Sequence, residues 1–198
     1  MRALDRVLEG WLAQPQRVRR GLLALAFYGL GYACAMLLLA FGGARPGTPP
    51  WLAIDEQIYF HVEAAFIAPV IGLAAVLAAA ILHLVARALG GVGDFDDAVA
   101  LVGVTTAFAS LTTLVPDTVI GVLLCVDVID AETWMHEITR PSATLALVWV
   151  YLAAYLVAFG LGYPAVARVA YRLSRTRALV AGWSSFAIYQ LVLYVFVR

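Results

Sequence analysis

The residues with the most chemistry to offer lie inside or beside long apolar stretches. Thr106, Ser110, Thr113 and Asp117 recur at helical spacing (i, i+4, i+7, i+11) and so share one stripe of a helix. Such a stripe lines a polar conduit, or it packs against a neighbour through hydroxyl contacts. Counted at 1.5 Å per residue, Asp117 stands about 30 Å from Asp97, which places it at the far surface and in water. Gln190 falls about 20 Å beyond Arg177, level with Ser110. An amide at that depth is expected to hydrogen-bond a partner helix, through a hydroxyl such as Ser110 or a backbone carbonyl. His83 lies about 6 Å inward of Arg87. It is placed either to carry or sense a proton or, more simply, to hydrogen-bond at the membrane interface.

Other constellations are less specific. His61, Glu63, Glu132, His136 and Glu137 fall to one side of the chain's apolar stretches. Two histidines with carboxylates have the chemistry to hold zinc, but no short ligand motif fixes their geometry. The segment Gly90-Gly91-Val92-Gly93 lacks the Gly-Lys-Ser/Thr ending of a phosphate loop and follows no strand. The glycines instead suit the end of a helix, where positive φ is needed, and Asp94 can cap the helix that starts at Phe95. Cys34 and Cys125 stand apart in apolar surroundings and suggest neither a disulfide framework nor a metal site. No nucleophile and base occur in a known pattern, and no cofactor motif is present. The expectation is a protein that is not an enzyme.

The elements that must position these residues are membrane helices. Of the 198 residues, 64% are hydrophobic and only 13% charged, with a mean hydropathy of +0.91. A soluble domain carries about 25% charged residues. The apolar residues form blocks of the roughly 20 residues that cross about 30 Å of hydrocarbon. The expected fold is therefore all-α: a polytopic bundle of five transmembrane helices with a short amphipathic helix at the N-terminus. The formal net charge is zero, which suggests no nucleic acid or other polyanion as a partner. The bilayer is the expected partner, with self-association or another membrane protein beside it.

Within residues 1–16, Leu4, Val7, Leu8, Trp11 and Leu12 oppose Arg2, Asp5, Arg6 and Glu9, as in a helix lying on the cytoplasmic leaflet. The membrane domain occupies 17–198. Its expected spans are Gly21–Phe41, Val62–Ala86 (kinked at Pro69), Ala98–Pro116, Ser142–Tyr163 and Ala178–Val197. Residues 42–50 form a Gly/Pro linker, and residues 51–60 look interfacial. Residues 117–128 are apolar but too short to cross back, so they are expected to be interfacial or re-entrant. Asp127, Asp130, Glu132 and Glu137 mark an exposed acidic loop. Ten arginines fall on the N-terminal side of this topology and three on the other, so the positive-inside rule puts the N-terminus in the cytoplasm and the C-terminus outside.

Four segments resemble the prokaryotic branch of the Yip1 family of five-span membrane proteins. Gln14-Pro15-Gln16-Arg17 is similar to that family's proline-basic segment before the first span. Leu82-His83-Leu84-Val85-Ala86-Arg87-Ala88-Leu89-Gly90-Gly91, followed by Gly93-Asp94-Phe95, resembles its His-x-x-Ala-Arg-x-x-Gly-Gly segment and short loop with Phe. The third span reaches a proline, Pro116, and Ser174-Arg175-Thr176-Arg177-Ala178 resembles the basic turn before the last span. The Asp-Leu-Tyr-Gly-Pro signature of eukaryotic members is absent, and Gly103-Val104 replaces their Gly-Tyr pair. Rab-GTPase binding is therefore not implied. The resemblance implies the five-span fold in a prokaryotic cytoplasmic membrane, and a scaffold or adaptor role in membrane organisation or trafficking. A small transporter or channel built on the polar stripe is the alternative.

Overall fold

A computed structural model describes residues 2–46, 52 and 54–196; the expectations for 47–50 and for Trp51 lie outside them. The described chain is all helical: α1 (Arg2–Leu12), α2 (Arg17–Phe41), α3 (Tyr59–Ala88), α4 (Phe95–Ala109), α5 (Leu111–Cys125), α6 (Ala131–Thr139), α7 (Ala143–Tyr171) and α8 (Arg175–Phe196). Four of these, α2, α3, α7 and α8, are long and apolar enough to cross a membrane, and α4 with α5 qualifies as a pair bent by 40°. Helix α2 packs on α3, α4 and α5, while α8 packs on α3 and α7. Helices α2 and α4 approach so closely that a Cβ on Gly103 would lie 2.7 Å from the Gly21 carbonyl oxygen.

The bent pair departs from expectation. Pro116 does not end the third apolar helix, which breaks at Ser110 and resumes as far as Cys125. A proline removes one N–H bond and crowds the carbonyl four residues earlier. Here hydroxyls take up carbonyls at the break: Thr112 Oγ1 donates to the Ala109 carbonyl at 2.7 Å and Thr113 Oγ1 to that of Ser110 at 3.0 Å. Residues 117–125 thus continue the helix that starts at Leu111, and a pair of short helices bent by 40° has the form of a broken span or of the re-entrant segment expected there. Helix α7 also outruns its expected end at Tyr163, passing through Pro164 to Tyr171, so Arg168 belongs to a helix and not to a loop. The acidic loop contains α6, whose N-terminus Asp130 caps by accepting from the Thr133 N–H at 2.8 Å. That bond holds the Asp130 carboxyl below the usual carboxylate range.

Ten of the arginines gather at one end of the bundle with three of the four segments of the family resemblance, Pro116 lying on α5 in the other half. Helix α3 ends with Gly90 at φ +85°. Its N–H donates to the Arg87 carbonyl at 3.0 Å and that of Gly91 to Ala86 at 2.8 Å, the paired bonds of a Schellman end. Arg177 donates to the Leu89 carbonyl at 3.1 Å, and Arg17 pairs with Asp97 at 2.6 Å. Gly91 and Gly93 keep a negative φ and serve close approach instead: a Cβ on Gly93 would meet the Ala170 carbonyl oxygen at 2.0 Å. Asp94 does sit at the N-cap position of α4, yet its side chain makes no capping bond. Its carbonyl instead accepts from the Tyr171 hydroxyl at 3.2 Å. Helix α1 lies against α7 and α4, burying Leu8, and its Asp5 pairs with Arg168.

Candidate functional site

Ser110 divides the polar stripe into two halves with different surroundings. On the arginine side, Thr106 is buried and its hydroxyl lies 2.8 Å from that of Tyr163 on α7. Ser110 is also fully buried, beside the hydroxyls of Tyr28 and Tyr189. This half is a packed seam. Phe159 continues it, stacking on Phe186 and Tyr189 at centroid distances of 5.2 and 5.3 Å.

Beyond Ser110 the same stripe enters a cavity of about 710 Å³ between α2, α3, α5, α7 and α8. Thr113 and Asp117 line it from α5, Tyr28 and Tyr32 from α2, Tyr151 and Tyr155 from α7, and Gln190 and Tyr194 from α8. Asp117, expected at the far surface and in water, stands beside other side chains there and not alone. It is half-buried on the cavity wall and faces the Tyr32 hydroxyl. Gln190 finds a partner on another helix, though not Ser110: its Oε1 accepts from the Tyr155 hydroxyl at 2.7 Å.

Glu63, assigned by its neighbours to an outer loop region, is the larger surprise. It is 0% exposed, and neither carboxylate oxygen has a hydrogen-bond partner among the described residues. Asp117 lies near it, and the Asp117 carboxyl faces the Tyr32 hydroxyl. Two carboxylates therefore share a region of low dielectric with a tyrosine between α2, α3 and α5. No basic residue is among the described residues that line the cavity. Helical phase carries the missed signal: Tyr59, Glu63, Ile67, Ile71, Ala74, Ala78 and Leu82 form the buried face of α3.

The suggested zinc ligands do not assemble. Glu63 turns inward, His61 is exposed with its ring against Phe41 at 5.5 Å, and His136 and Glu132 are exposed on α6. No group of three potential metal ligands forms among the described residues. His83 is remote from the cavity, at the arginine end. Its Nδ1 is 2.7 Å from the Tyr171 hydroxyl, and Phe95 meets its ring edge-on at 5.7 Å. Since that hydroxyl donates to Asp94, His83 donates from Nδ1–H, a structural bond that joins α3, α4 and α7.

Comparison with family models, with curated proteins and with solved structures finds no match to this chain.

Proposed function

We propose that this chain is a non-enzymatic, multi-pass protein of a prokaryotic cytoplasmic membrane that takes up a small molecule in its cavity, as a transporter or a receptor. The bilayer is crossed five times, α4 and α5 forming the third crossing together. The N-terminus lies inside and the C-terminus outside. The clustering of ten arginines at one end supports that orientation.

The observation that carries this reading is Glu63. An ionisable side chain within a membrane segment is costly and, where it persists, marks a functional site. A carboxylate with no partner, next to a second one on a cavity wall, contributes nothing to packing that an apolar residue would not do better. The interrupted helix beside the cavity agrees, since irregular backbone at membrane depth is tolerated where it lines a cavity. A Yip1-type scaffold is the second reading. It is favoured by the convergence of three of the four family-like segments on the tightly bonded arginine end.

Cysteine accessibility separates the two readings. With Cys34 and Cys125 replaced by serine, Thr113→Cys should react with a small polar thiol reagent in membranes, whereas Ser110→Cys should not. Absence of reaction at both positions would leave a packed seam throughout and return the scaffold to first place.

A further inference from the structure

We infer that the cavity recognises a small organic cation, a ligand bearing an ammonium group. This rests on the reading above that the cavity takes up a ligand, and it adds the ligand's chemistry. Four features of the walls point the same way. Asp117 contributes a carboxyl group to the surface of the cavity, and Glu63, fully buried and unpartnered on α3, is a second carboxyl near it that a cationic ligand would favour in the charged form. No Arg, Lys or His lies among the described lining residues to neutralise them. Tyr28, Tyr32, Tyr151 and Tyr155 contribute aromatic rings around the same space. Rings beside carboxylates are the combination that binds ammonium groups, because the negative ring faces attract a cation without needing to hydrogen-bond it.

The same features argue against the other ligand classes. An anion would face the Asp117 carboxyl with no basic residue among the described lining residues to hold it. A bare metal ion needs six or more oxygens at close range if it is a hard cation. This cavity instead spreads its polar groups over about 710 Å³ of largely apolar wall. That volume falls within the roughly 300–1,000 Å³ typical of small-molecule sites. The ammonium group has two possible sources, a soluble amine or the headgroup of a lipid, and the wall chemistry is the same for both.

The test uses the full chain, with Cys34 and Cys125 replaced by serine and Thr113→Cys as reporter, in nanodiscs of phosphatidylglycerol, a lipid without an amine. Choline should slow labelling of the reporter. Its neutral isostere 3,3-dimethylbutanol should be at least about tenfold weaker, and the anion 3,3-dimethylbutyrate should be inert. Asp117→Asn should abolish the protection, Asp117→Glu should retain it, and Glu132→Gln, remote on α6, should leave it unchanged. Slow labelling in nanodiscs that contain phosphatidylethanolamine, with no added choline, supports ammonium recognition and assigns it to the lipid.

Equal protection by choline and the neutral isostere overturns the cation inference while leaving an occupied cavity. Labelling that no ammonium compound or headgroup slows also overturns it, and leaves an open cavity. A reporter that never labels overturns the cavity reading itself. The comparison of choline with its isostere needs no substitution at Asp117, so misfolding of Asp117→Asn does not remove the test.

Discussion

The two ends of this bundle solve the problem of polar groups in opposite ways. At the arginine end a set of bonds ties one helix to another: Arg17 to Asp97, Arg168 to Asp5, Arg177 to a helix carbonyl, His83 to Tyr171 and Tyr171 to Asp94. At the other end Glu63 is left without a partner, and Asp117 shares a cavity with tyrosines and no cation. Satisfied polar networks specify one structure, whereas departures from satisfaction concentrate where a protein functions. The difference between the ends separates what holds the bundle together from what it holds.

The comparison breaks most readily at Gly93. Replacing it with valine drives a side chain into the Ala170 carbonyl and should cost about 3 kcal/mol or more. The expected result is loss of monodisperse protein on size exclusion in detergent; a normal elution profile would mean that the arginine end is looser than described.

Glu63 should behave in the reverse sense. Glu63→Met removes two unpartnered buried oxygens while keeping the length of the side chain, and should stabilise by about 1–3 kcal/mol. A higher melting temperature together with lost choline protection would set stability against function at this position. A lower one would reveal a bond to Glu63 that supports the fold.

Tyr171→Phe deletes the hydroxyl that links His83 and Asp94 and should destabilise by about 1–2 kcal/mol, read as a drop in melting temperature with cavity labelling unchanged. The smallest effect belongs to Asp94→Ala, which removes a side chain that makes no capping bond and should shift stability by less than about 0.5 kcal/mol. A loss near 1 kcal/mol, measured the same way, would mean that the side chain caps α4 after all.

The long helices are legible in the sequence because hydropathy depends on composition over some 20 residues and tolerates local error. Helix ends are less so. Pro116 and Pro164 read as boundaries, yet each lies inside a helix, since one missing N–H is a small loss against the burial of the turns that follow. The stripe of Thr106, Ser110, Thr113 and Asp117 is correctly phased, but its bend at Ser110 depends on hydroxyl bonds to carbonyls that spacing does not reveal. Glu63 shows where loop proximity misleads. Placed with His61 because the two adjoin, it points the opposite way, and only its register with Ile67 and Ile71 tells them apart. The partners of His83 and Gln190 lie on α7, far along the chain, and no local pattern encodes them.

The bend between α4 and α5 has a mechanical consequence. Drawn out straight, the pair would be about 46 Å long, well beyond the roughly 30 Å thickness of hydrocarbon. Divided at Ser110, it becomes two short rods with a joint: the upper is held at the arginine end by the Gly21–Gly103 contact and the Arg17–Asp97 pair, and the lower lies along α2, where a Cβ on Gly121 would meet Leu38 at 2.8 Å and Cys125 Sγ donates to the Leu38 carbonyl at 3.0 Å. A straight span longer than the hydrocarbon is thick must tilt along its whole length, whereas the bend of 40° fits the same residues into less depth. Asp117 rides on the lower rod. The bend is thus what brings a carboxyl from the far half of a long helix onto the wall of the cavity.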